Sequence, residues 1–122
     1  MRMTNQTIHQ HTGDDFCYLT TTGRVTGRPH EIEIWFALHE NMLYMLSGGR
    51  EKSDWVKNLQ KNPQVRVRFG GETLQGHARI VTDEGEDALA RRIVVAKYQP
   101  RGTDDLTEWG RTSLAVAVDM AG

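Results

Sequence analysis

The segment Thr20-Thr21-Thr22-Gly23-Arg24-Val25-Thr26-Gly27-Arg28-Pro29 puts glycines, threonines and two arginines into one strand-to-strand connection. Glycine lets backbone amides come close to a ligand, and a guanidinium offers forked donors that match phosphate oxygens. Anion binding is the chemistry such a segment can do. A solvated turn, with glycine for positive φ and arginine for solubility, accounts for the same composition. A second segment, Ser47-Gly48-Gly49-Arg50-Glu51-Lys52-Ser53-Asp54-Trp55, is also basic and glycine-containing, and it precedes a helix start. Such a place can bind anions; a plain loop with a capping serine is its alternative. Both segments sit at strand ends, so each strengthens the other.

The remaining reactive residues form no set. His9 and His11 lie in a polar leader, His30 and His39 fall on opposite faces of one strand pattern, and His77 stands alone. Metal binding is therefore not expected. His30, Glu31 and Glu33 could do acid–base work, but exposed strand positions explain them as well. Cys17 is the only cysteine, which excludes an internal disulfide or a thiolate cluster and reads as a small core residue. No triad, P-loop or dinucleotide fingerprint is present.

The elements that must position these residues are mostly strands. Phe16 to Thr22 is β-branched and aromatic and stops at Gly23. From His30 to His39, Ile32, Ile34, Phe36 and Leu38 share one face, and Glu31, Glu33, Trp35, Ala37 and His39 the other. The turn at Glu40-Asn41 makes this run a hairpin with Met42 to Ser47. Ser53 and Asp54 suit a helix start, and Asn62-Pro63 ends the helix. Val65, Val67 and Phe69 alternate with arginines and turn at Gly70-Gly71 into an arm with Leu74, Gly76, Ala78 and Ile80 on one face. Asp83 and Glu86 match a capping box ahead of a helix whose apolar stripe is Ala88, Leu89, Ile93 and Ala96. Thr103 to Arg111 reads as a short helix or loop, and Leu114, Val116 and Val118 as a last strand. The result is an α+β, mainly β fold of about six antiparallel strands with two to three helices, most simply a small closed or partly closed barrel.

The 122 residues make one domain, with 1–13 as a polar leader expected to be flexible. An apolar fraction of 38% with 25% charged residues marks an ordinary globular chain. The net charge of -1 argues against non-specific coating of nucleic acid or anionic membrane. Residues 24–68 nevertheless carry eight Lys or Arg against five Asp or Glu, which suits a local anion site. Apolar runs such as Ile93-Val94-Val95-Ala96 are too short to span a bilayer, and the leader has no apolar h-region. A cytoplasmic location is expected from this and from the cysteine usage. Trp35, on the polar face of its strand, needs a cover: a flat ligand, a helix or a partner subunit.

The runs YLTTTGRVTGRPHEIEIWFAL and LYMLSGGREKSDWVKNLQKNPQVRVRFGG resemble the deazaflavin-dependent nitroreductase and quinone reductase family. The similarity covers residues 16–82. It implies the flavin-binding split β-barrel shared with pyridoxamine-phosphate oxidases. It also implies an oxidoreductase using coenzyme F420, an 8-hydroxy-5-deazaflavin, with FMN as the sister option, acting on a quinone, nitro compound or activated enone. By the resemblance, Arg24, Thr26 and Arg28 cradle the phosphate and acidic tail. Ser47, Gly48, Gly49, Lys52, Ser53 and Trp55 complete the cofactor groove, and Ile34, Trp35 and Phe36 run along the ring system. The reactive hydride sits on the cofactor, so no protein acid–base set is needed. A two-fold homodimer with the cofactor near its interface is expected. The chain departs from the family pattern at Val25, where a lysine is common, and at His30, where an arginine is frequent. Lys52-Ser53-Asp54-Trp55-Val56 stands in place of H-P-A-W-Y, and the departures at Val25 and Val56 make a non-catalytic flavin- or deazaflavin-binding protein the alternative to a reductase.

Overall fold

The computed structural model describes residues 8–120. Seven strands appear in chain order: β1 Cys17–Thr22, β2 Pro29–Ile34, β3 Ala37–His39, β4 Met42–Ser47, β5 Gln64–Phe69, β6 Glu72–Ile80 and β7 Leu114–Asp119. Among the described residues three complete α-helices join them: α1 Asp54–Lys61, α2 Glu84–Tyr98 and α3 Thr107–Thr112. The strands form a single antiparallel sheet in the order β2-β1-β5-β6-β7-β4-β3.

That order forces the sheet to curl. β2 and β3 are its two edges, yet only Trp35 and Phe36 separate them in sequence. Three peptide steps reach at most about 11 Å, whereas the edges of a flat seven-stranded sheet would stand roughly 29 Å apart. The ends are therefore brought together as an incompletely closed barrel.

This corrects the single strand expected from His30 to His39. The apolar alternation continues through the run, but its backbone changes partners. Ile32 pairs with Leu19 of β1, whereas Leu38 pairs with Leu43 of β4. Periodicity reports which way a side chain faces and carries no information on the neighbouring strand. Only Ala37–His39 forms the expected hairpin with β4.

The crossover is held by two consecutive residues of α2. The Phe36 N–H donates to the Tyr98 hydroxyl (3.1 Å), which donates to the Asp15 carbonyl (2.8 Å). The Lys97 ammonium donates to the Phe36 carbonyl at 3.0 Å. Phe36 is fully buried, so these side chains satisfy backbone groups that would otherwise be costly to bury. The Tyr98 ring stacks on Trp35 at 4.3 Å with the planes 4° apart. A helix thus covers one face of Trp35.

Burial lowers the Lys97 pKa to about 8, and the nearby Arg101 adds to the shift. Between that value and the ordinary 10.5 of lysine, the unfolded chain holds a proton that the folded chain has lost. The Lys97 contribution to stability therefore rises with pH across this interval. Cys17 and Tyr98, both raised to about 12 chiefly by burial, act in the opposite direction, so a paired comparison isolates the lysine. In urea unfolding from pH 7.5 to 10, Lys97→Met should lack the rising component of wild type. Parallel pH profiles would contradict this assignment.

Two apolar layers sit on either side of β4 and β7. Inside the barrel Leu19, Phe36, Leu43, Met45, Val67, Val116 and Val118 pack with Val56 and Leu59 of α1. Outside, Tyr44, Leu46, Ala115 and Ala117 lie under Ala90, Val94 and Tyr98 of α2. The expected α2 stripe is thus shifted. Leu89 and Ile93 flank the contact, while Ala88 and Ala96 face solvent. Small and branched residues all round the helix left its phase open, and the sheet beneath selects it. Asp83 caps α2 by accepting from the Glu86 N–H at 2.9 Å. The Glu86 carboxylate does not complete the box; it takes two hydrogen bonds from Arg79 and one from Tyr44. The end of the leader is folded onto the barrel: Ile8 is buried, and His11 bridges Asp14 and Glu72 while stacking on Phe69. Residues 1–7 lie outside the described residues.

Candidate functional site

The loop between β1 and β2 closes on its own backbone. The Gly23 N–H donates to Arg28 O (2.7 Å) and the Gly27 N–H to Gly23 O (2.9 Å). Gly27 has φ of 75°, a left-handed conformation that favours glycine. The Arg28 N–H donates to the Thr26 hydroxyl at 3.2 Å. The result is a stiff turn rather than an open chain.

α1 runs beside this turn, and its polar side fastens Arg24. The Asn58 side-chain oxygen accepts from the Arg24 backbone N–H (3.1 Å) and from its Nη1 (2.8 Å). The Asn58 amide in turn donates to the Thr21 hydroxyl at 3.2 Å. Asp54, one helical turn earlier, accepts from Nη2 of the same guanidinium at 3.1 Å. Asp54 is exposed, whereas Asn58 and Thr21 are buried.

Between the loop and α1 lies a cleft of about 460 Å³. Thr21, Arg24, Thr26, His30, Glu31, Asp54 and Asn58 supply its polar lining, and Val25, Ile32 and Trp55 its apolar part. His30 lies directly over Gly23, where an added Cβ would come within 2.7 Å of Nε2. A guanidinium and a hydroxyl beside a flat apolar wall fit a ligand that combines an anionic group with an aromatic ring.

The residues singled out in the sequence are distributed over several places. Arg24, Thr26 and Trp55 meet in the cleft. Arg28 and Lys52 are exposed. Ile34 packs against the core and Phe36 is inside it. Trp35 is 42% exposed and borders a second, smaller cavity of about 200 Å³ with Tyr98, Arg101 and Leu106. Ser47 is buried and bonds to the Arg50 carbonyl at 3.0 Å; its hydroxyl is 2.9 Å from that of Ser53. Ser53 stands at the N-cap of α1, but its side chain makes no cap bond. Gly49 lies close against Ser53, and Gly48 against the Trp109 indole. Trp109 in turn makes an edge-on contact with Trp35 at 5.7 Å.

Asn58, Asp54, Thr21 and Trp109 were not anticipated as site residues. The i, i+4 spacing of Asp54 and Asn58 was visible and places both on one side of α1. Nothing local marks Trp109, which reaches Gly48 only through tertiary packing. Among the described residues no group of His, Cys, Asp or Glu could hold a metal ion, and no helix is long and apolar enough to cross a membrane.

The family model for F420H(2)-dependent quinone reductase matches residues 1–120. The chain belongs to this family. It is an F420H2-dependent reductase, and its cofactor is coenzyme F420. Solved structures share the fold at low identity. A protein described as a candidate 5-nitroimidazole antibiotic resistance protein from Bacteroides thetaiotaomicron superposes with a TM-score of 0.72 at 17% identity, covering 98% of this chain and 81% of that one. An F420-H2 dependent reductase (FDR-A) gives 0.66 at 24%, covering 86% and 94%. A protein described as a domain-swapped dimer gives 0.67 at 22%, covering 93% and 91%.

Proposed function

We propose that the cleft between loop 23–28 and α1 seats the phosphate-bearing part of coenzyme F420, and that the acceptor is a small electron-poor molecule: a quinone, a nitro compound or an activated enone. One observation carries this reading. Arg24 is fixed by Asn58 in the lining of a cleft that Ile32 and Trp55 also line. The chemistry that the bound coenzyme supplies is hydride delivery. The chain binds and orients. Arg24 and Thr26 hold phosphate oxygens, while Arg28 and Lys52, both exposed, attract the acidic tail at the rim. Ser47, Gly48, Gly49 and Ser53 bound the groove as a tightly packed loop. Ile34 and Phe36 support its wall from within the core. The half-exposed Trp35, set by Tyr98 and Trp109, offers an aromatic face to a planar acceptor.

Oxidation of F420H2, followed by absorbance with a panel of quinones, nitroaromatics and enones, tests the acceptor assignment. Steady turnover with at least one class is expected, and Trp35→Ala should raise KM for that acceptor about tenfold while leaving cofactor affinity within about twofold. Turnover with none of the three classes contradicts it.

A two-fold homodimer in the cytoplasm completes the reading. The 39% exposure of Phe16 and 42% of Trp35 leave apolar surface that pairing would cover. Sedimentation should show a dimer at micromolar concentration; a strict monomer would rule it out.

A further inference from the structure

Arg24 makes every polar contact that the structure gives it with one helix, and those contacts are unequal. Asn58 is 4% exposed and bonds at once to the loop backbone, the guanidinium and Thr21 of β1. Its amide can adopt no other useful partner set without breaking three hydrogen bonds. Asp54 is the opposite case. Its side chain is 85% exposed and touches only Nη2, at 3.1 Å. A carboxylate so exposed can swing into water at little cost.

We infer that Asn58 is the positioning residue for Arg24, and that the Asp54 carboxylate is a built-in stand-in anion, displaced when a phosphate group takes the guanidinium. The inference rests on the cleft being the anion site of the proposed function, and it adds a device to it. Nη1 stays on Asn58, which keeps the fork aimed along the cleft, while Nη2 exchanges one oxyanion for another. The exchange conserves charge pairing at Arg24, so the guanidinium is never left bare. It also makes phosphate affinity somewhat lower than a guanidinium without this exposed partner would give. Asp54 therefore acts as a competitor of the ligand, although it lies in the site and points at its main cation.

Titration with inorganic phosphate at low ionic strength, followed through the Arg24 guanidinium and backbone amide resonances, tests this independently of any redox cofactor. Asp54→Asn should bind phosphate about two- to fivefold more tightly than wild type, with the gain shrinking at 0.5 M salt. Asn58→Leu should bind at least about tenfold more weakly, because the guanidinium loses its fixed partner. Thr21→Val, which frees only the Asn58 amide, should fall between Asn58→Leu and wild type. Val56→Ala is the control for destabilisation of α1, since Val56 is fully buried in the same helix and packs into the apolar core. It should lower stability and leave phosphate affinity unchanged. Equal or weaker phosphate binding by Asp54→Asn overturns the stand-in role. Parallel losses of affinity in Asn58→Leu and Val56→Ala overturn the positioning role. Phosphate binding in the expected order without F420 binding would sink the cofactor site and leave this inference standing; F420 binding without the order would do the reverse.

Discussion

Arg24→Ala should raise the Kd for F420 about 30- to 700-fold. The guanidinium supplies one or two charge-assisted hydrogen bonds to the phosphate, worth together about 2–4 kcal/mol. No other lysine or arginine lines the cleft. Val25 stands where the family commonly has a lysine, and its side chain is 89% exposed, so nothing nearby can take over. The variant also takes the Nη1 donor from the buried Asn58 oxygen, which keeps only the backbone N–H of residue 24, so stability must be measured alongside affinity. Arg24→Lys separates charge from shape: it keeps the cation and loses the fork, and should fall midway. Arg28→Ala, exposed at the rim, should cost less than about fivefold. Equal losses at Arg24 and Arg28 would mean that a diffuse basic surface, and not this cleft, binds the phosphate.

The largest effect on stability is expected at Tyr98. Removing its hydroxyl in Tyr98→Phe strips the partner from the Phe36 N–H and from the Asp15 carbonyl. The buried Phe36 N–H left unpaired costs about 1–3 kcal/mol, a large share of what holds a domain of this size folded, while the carbonyl of the exposed Asp15 turns to water. The ring remains, so the stack on Trp35 is preserved and loss of packing is not the cause. Urea unfolding would show a lower midpoint with an unchanged slope. A change under about 0.5 kcal/mol would mean that the crossover does not depend on this clamp.

The strand pattern and the two basic loops were legible because each depends on local spacing. Alternation located Val65, Val67 and Phe69 in the interior, all buried, and the glycines of loop 23–28 marked a tight turn. Three features were not legible, each for a physical reason. Trp35-Phe36 looks like the middle of a strand because the alternation passes through it unbroken, while the change of partners is decided by long-range closure. Trp35 looked uncovered because its cover, Tyr98, lies sixty-three residues further along the chain. Asn58 looked like an ordinary helix residue because its role appears only when loop 23–28 folds back on α1. In the second basic loop the hydroxyls of Ser47 and Ser53 bond to each other, a contact that no local spacing reveals.

Backbone amide mapping of the wild-type chain titrated with F420, and separately with FMN, tests the central claim most directly. The account predicts that F420 shifts the amides of Gly23 to Arg28, Ile32 and Trp55 to Asn58, saturates in the micromolar range or below, and binds more tightly than FMN. Shifts confined to the outer sheet around Arg66 and Gln75, or tighter binding of FMN, would contradict it.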